Sequence, residues 1–157
     1  MTIPGFAFAS LALCLIASSL ADDTQVKKEP SLPICHEVDL PAAPQRVYQV
    51  LTDAKQFSAC TGAPADISAD VGGAFSIFGG HIIGRHLDMV PGKRLVQAWR
   101  VVDWPPGVFS IASFELQPRG TGTHLLFTHT GFPNEKREHL AEGWQQRYWD
   151  PLKAYLK

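Results

Sequence analysis

Between residues 34 and 40 apolar and polar side chains alternate. Ile34, His36, Val38 and Leu40 fall on one face, and Cys35, Glu37 and Asp39 fall on the other. A period of two predicts a half-buried strand. Pro41 and Pro44 stop it, and Pro44 is placed to start a helix, where its missing N–H has no hydrogen bond to lose. Val47, Val50 and Leu51 form a one-sided apolar stripe at helical spacing. A second helical turn is expected over 56–60, and the run 61–64 breaks it. A series of strands follows, over 74–78, 81–90, 95–102, 109–116 and 123–130. Turn signals separate them: Gly79-Gly80, Pro91-Gly92, Trp104-Pro105-Pro106-Gly107 and Arg119-Gly120-Thr121-Gly122.

The period then changes. Leu140, Trp144, Tyr148, Leu152 and Tyr155 recur at spacings of three and four, which predicts one long closing helix. Asn134 is a suitable cap, and Glu135 puts negative charge in the first turn. Pro151 should kink this helix or break its hydrogen bonding locally. Two early helical pieces, six or seven antiparallel strands and a closing helix define an α+β domain, with the helix covering one face of a curved sheet.

The first 21 residues depart from this pattern. They carry no charged side chain, and residues 6–20 are almost continuously apolar. Ser19 and Ala21 are small residues suited to cleavage before Asp22, so 1–21 reads as a signal peptide and the chain as exported, periplasmic or secreted. The run falls short of the roughly 20 apolar residues a membrane span needs, so no stable membrane insertion is expected after cleavage. Residues 22–32 are polar and proline-bearing and read as a flexible linker into a domain over 33–157. Hydrophobic residues make up 45% of the chain and charged residues 18%, an ordinary globular balance. The formal net charge of −1 lacks the basic excess that nucleic-acid binding requires. Outside the leader, Cys35 and Cys60 remain. In an oxidising compartment they are candidates for a disulfide, and otherwise they are two half-buried thiols; bonding requires Cα atoms within about 7 Å.

The order of motifs is informative as a set. Val38-Asp39-Leu40-Pro41-Ala42-Ala43-Pro44 leads to Val47-Tyr48-Gln49-Val50-Leu51-Thr52-Asp53 and then to Val71-Gly72-Gly73-Ala74-Phe75. Leu125-Leu126-Phe127-Thr128-His129-Thr130-Gly131-Phe132 and Gly143-Trp144 with Leu152 complete the series. Over 34–156 the chain resembles the activator-of-Hsp90-ATPase-like branch of the START-like (SRPBCC) superfamily. That resemblance implies a helix-grip fold, with the closing helix across the concave face of the sheet and a cavity between them. Cys60 stands where the family pattern looks like tryptophan. The leader lies outside the pattern and, if functional, disfavours an Hsp90-type partner, since that activity is cytosolic.

Strand and helix parity nominate the cavity lining as Phe75, Ile77, Phe114, Phe127, His129, Trp144 and Tyr148; the plain alternative is that these residues are core. His129 shares parity with Leu125 and Phe127. It is the one candidate acid–base group, able to orient a carbonyl or carboxylate, and is otherwise a satisfied core histidine. Arg85 and His86 face opposite ways on one strand. An inward Arg85 favours an anionic ligand, and an outward one is a solvated charge. His81 and His86, like His124 and His129, are five apart and therefore on opposite strand faces, so no metal site is expected from either pair. Zinc spacings, a nucleophile elbow, a P-loop and a dinucleotide fingerprint are missing, and no cofactor is expected.

The leading expectation is an exported domain holding a small hydrophobic or amphipathic molecule. A second is a cyclase- or hydrolase-like enzyme using His129. A third is a protein-interaction module of the chaperone-activator kind. A pocket of at least about 300 Å³ between helix and sheet separates the first from the others.

Overall fold

The computed structural model describes residues 31–157. The leader over 1–21 and the linker up to residue 30 lie outside the described residues. Strand β1 (Ile34–Leu40) keeps the expected alternation, with Ile34, Val38 and Leu40 buried. Helix α1 (Pro44–Thr52) begins at its proline and buries Val47, Tyr48, Val50 and Leu51. Asp53 ends α1 in extended backbone and caps α2 (Ala54–Thr61), its carboxylate accepting from the Gln56 N–H at 2.9 Å. Gly62, in the left-handed region, closes α2.

Six strands follow: β2 (Ala65–Ile67), β3 (Ala74–Ile77), β4 (Ile82–Val90), β5 (Arg94–Val101), β6 (Ser110–Arg119) and β7 (Gly122–Thr130). With β1 they form one antiparallel sheet in the order β1-β7-β6-β5-β4-β3-β2. Strand β2 escapes the sequence pattern because three residues are too short to show a period. A bulge between His86 and Asp88 displaces the β4 register and leaves Leu87 on the outer face. Gly84 is required on β4, because a Cβ there would sit 2.1 Å from the Ala98 carbonyl oxygen and 2.3 Å from the Phe75 ring.

The closing helix differs from the single kinked rod that the heptad-like spacing predicts. It opens with a 3₁₀ turn (Asn134–Lys136) and continues as α3 (Arg137–Trp144). It then widens into a π turn (Gln145–Trp149) and resumes as α4 (Asp150–Tyr155). Pro151 has no N–H and its ring crowds the preceding turn. The chain absorbs this upstream, where the Asp150 N–H reaches the Gln145 carbonyl five residues back. The extra residue per turn brings the consecutive pair Tyr148 and Trp149 into the core beside Trp144.

Candidate functional site

All seven nominated residues point inward: Phe75, Ile77, Phe114, Phe127, His129, Trp144 and Tyr148 are each buried in one core. They pack on one another and leave little space. Trp144 lies 4.2 Å from both the Phe127 and Tyr148 ring centroids, and Phe114 lies 5.0 Å from Phe127. The void bordered by Phe75, Ile77, Phe114 and Tyr148 measures about 10 Å³, far below the roughly 300 Å³ a small-molecule site needs. Phe78, at φ 53°, holds its ring 5.5 Å from Phe57 and 5.4 Å from Tyr148, closing that side of the interior.

His129 is fully enclosed and fully bonded. Trp144 Nε1–H donates to its Nδ1 at 3.0 Å. That assigns the proton to Nε2, which donates to Ser110 Oγ at 2.7 Å, and Ser110 donates on to the Trp99 carbonyl at 2.8 Å. Burial pushes the imidazole pKa down to about 3. A neutral ring with both nitrogens occupied and no open space beside it joins β7, β6, β5 and the closing helix. The enzyme expectation thereby loses access to its one named acid–base group.

Arg85 points outward and donates to the Gly72 carbonyl at 2.9 Å. His86 points inward, fully buried, with Nδ1 3.4 Å from Gln97 Nε2, and burial lowers its pKa. The two cysteines are free thiols, which corrects the disulfide expectation. Alternation along β1 turns Cys35 away from the core, whereas Cys60 on α2 packs half-buried against it, where burial raises its pKa to about 11. Among the described residues no group of three or more His, Cys, Asp or Glu gathers as a metal site.

Two surface features remain. The first is a pocket of about 160 Å³ where the first turns of the closing helix cross the ends of β4 and β5. Its apolar wall comes from Trp99, Trp104, Trp144 and Tyr148, and Lys136, His139 and Arg147 stand at its rim with Asp103 opposite. Trp99 and Trp104 lie outside the set that strand and helix parity nominates. Parity with Leu95 and Gln97 on β5 signals Trp99, but no periodic signal marks Trp104 in its proline-rich loop. The second feature is an open trough of about 650 Å³ on the outer sheet face, lined by Ile83, Leu87, Ala98 and Phe109 with Arg85 among them. Leu87 (48%), Phe109 (46%) and neighbouring Ile111 (39%) are unusually exposed for large apolar side chains, and Arg100 stacks over the Phe109 ring at 5.5 Å.

An antiparallel sheet wrapped on a closing helix, with a small pocket at the head of that helix and apolar side chains exposed on the outer sheet face, defines a helix-grip protein. The profile of the family described as Activator of Hsp90 ATPase homolog 1-like protein matches residues 41–157, and the chain belongs to that family. It is 33% identical over 111 residues to the human protein named activator of 90 kDa heat shock protein ATPase homolog 1, covering 71% of this chain and 33% of that one. It is 28% identical over 133 residues to the Dictyostelium discoideum homolog, covering 84% of this chain and 35% of that one. The chain thus spans about a third of the length of these relatives. Among solved structures, an HSP90 activator from Plasmodium falciparum superposes with a TM-score of 0.75 at 24% identity, over 80% of this chain and 96% of that one. A protein from Chromobacterium violaceum superposes at 0.65 with 29% identity, over 79% and 96%.

Proposed function

We infer that this domain works by protein contact, as a chaperone-activator-like module, using the outer face of its sheet. The observation that carries this reading is the contrast between the two faces. The inner face keeps only a void of about 10 Å³ at Phe75, Ile77, Phe114 and Tyr148 and a pocket of about 160 Å³ at the head of the closing helix, while the outer face leaves Leu87, Phe109 and Ile111 exposed around an open trough of about 650 Å³. The relatives named as activators of the 90 kDa heat shock protein ATPase supply the partner class. Arg85 and Arg100 beside the apolar residues suit a partner surface that offers an apolar side chain flanked by carboxylates.

The test is a purified Hsp90-type chaperone from the same host and compartment, titrated with this domain. Stimulation of ATP hydrolysis is expected, with at least a tenfold loss of affinity, about 1.4 kcal/mol, for the double variant Leu87→Ser, Phe109→Ser. Binding unchanged by that variant, or no stimulation at saturating domain, would remove this reading. The N-terminus of protein isolated from its host is a second test: a start at Asp22 would mean export out of the cytosol and would count against an Hsp90-type partner.

A further inference from the structure

Several departures from ordinary helix and core chemistry collect around the 160 Å³ pocket at the head of the closing helix. Gly143 lies within α3, where glycine is a poor helix former. Packing does not demand it, since a Cβ at 143 would meet nothing within 4 Å. It lines the pocket, so any larger side chain there would project into the empty volume. The π turn follows at once and carries Arg147 and Tyr148 to the same pocket. Trp99 Nε1 and Tyr148 Oη belong to two further lining residues, and each is buried with no regular hydrogen-bond partner. The Trp99 N–H faces the Tyr148 oxygen and offsets a part of the rise that burial gives the phenol pKa. The other fully buried polar group near this wall, His129, is satisfied at both nitrogens.

The rim has a sign. Lys136 and Arg147 are exposed and form no ion pair or side-chain hydrogen bond among the described residues, and His81 and His139 stand with them. Asp103 is the one carboxylate on the lining. The floor is aromatic, with the Trp99 ring centroid 5.6 Å from that of Trp104 and 5.5 Å from that of Trp144. A dry cavity of about 150 Å³ accepts a single benzene ring.

From these features we propose that the pocket binds a small aryl carboxylate. The ring lies on the Trp99, Trp104 and Trp144 wall beside Gly143, and the carboxylate faces Lys136 and Arg147. This site is separate from the outer-face trough, and its occupancy does not depend on a chaperone partner. A molecule of about ten heavy atoms at ordinary to good efficiency gives a dissociation constant of roughly 0.2–6 mM.

Phenylacetate is the probe, and phenethylamine, of the same size and opposite charge, is its control. In two-dimensional ¹H–¹⁵N spectra of the protein, phenylacetate should move the indole N–H signals of Trp99, Trp104 and Trp144 with saturation. The Trp149 indole, donating to His36 Nδ1 away from the pocket, should stay in place. Phenethylamine should bind at least tenfold more weakly. Gly143→Leu fills the volume and should abolish the phenylacetate shifts. Should that variant fold poorly, the surface double variant Lys136→Glu, Arg147→Glu should weaken phenylacetate about tenfold and bring phenethylamine up to or above it. No saturable shift by about 10 mM phenylacetate, equal affinity for both probes, or shifts centred on Trp149 would each overturn the proposal.

Discussion

At His129 the distinction between a catalyst and a structural histidine rests on where its two nitrogens go. One accepts from the Trp144 indole and the other donates to Ser110, which hands the chain to the Trp99 carbonyl. The imidazole is therefore a brace that ties together β7, β6, β5 and the closing helix. Replacing it with an apolar residue of similar size leaves the Trp144 N–H buried without an acceptor and Ser110 without its incoming donor. Each unmet buried group costs about 1–3 kcal/mol. His129→Leu should lose roughly 2–4 kcal/mol of unfolding free energy at pH 7.5, read from urea titrations with unchanged slope. A loss below about 1 kcal/mol would mean that the ring merely fills space. Parity was enough to predict that His129 faces inward, because strand alternation fixes direction. It could not predict Ser110 or Trp144 as its partners, because those contacts join elements 15 and 19 residues away in sequence.

The element that carries most of the inference is the closing helix, and it shows where periodicity stops being sufficient. Spacings of three and four correctly assign Leu140, Trp144, Tyr148 and Leu152 to the buried face. They cannot reveal the π turn, since an i to i−5 bond is a local answer to Pro151 that leaves no periodic trace. They equally miss Trp149, which an unbroken α-helix would not bury beside Tyr148. The strands were more legible, because alternation survives a bulge on either side of Leu87 and because positive-φ turns demand Gly79 and Gly80. Gly143 offers a clean test at this scale. An alanine there meets no atom within 4 Å, so only helix propensity changes. Gly143→Ala should raise stability by about 0.5–1 kcal/mol, seen as a higher midpoint of thermal unfolding. A decrease would show that the helix backbone at 143 needs glycine for a reason other than the empty pocket.

For the whole molecule, the filled interior has a consequence that any acid titration will expose. Burial lowers the pKa of His129 to about 3, and also lowers those of His86 and His36. In each case desolvation disfavours the imidazolium inside the fold, while the unfolded chain accepts the proton near 6.5. The unfolded state therefore binds more protons than the native state between these values, and stability must fall as pH falls. The contribution is fully present above about pH 6.5, declines below it, and for His129 stops changing only near pH 3. At pH 5 the His129 share of this loss is roughly 2 kcal/mol, since each pH unit below the unfolded pKa is worth up to about 1.4 kcal/mol. Urea unfolding at pH 7.5, 6.5, 5.5 and 5.0 (values of roughly unit spacing that bracket the unfolded pKa) should show a flat region followed by a steady decline. In His129→Leu the decline should be shallower by about that 2 kcal/mol at pH 5, with His86 supplying part of what remains. The same profile for both proteins would mean that His129 is protonated, or exposed to water, in the folded state. That result would return the ring to the list of groups able to exchange a proton with a ligand.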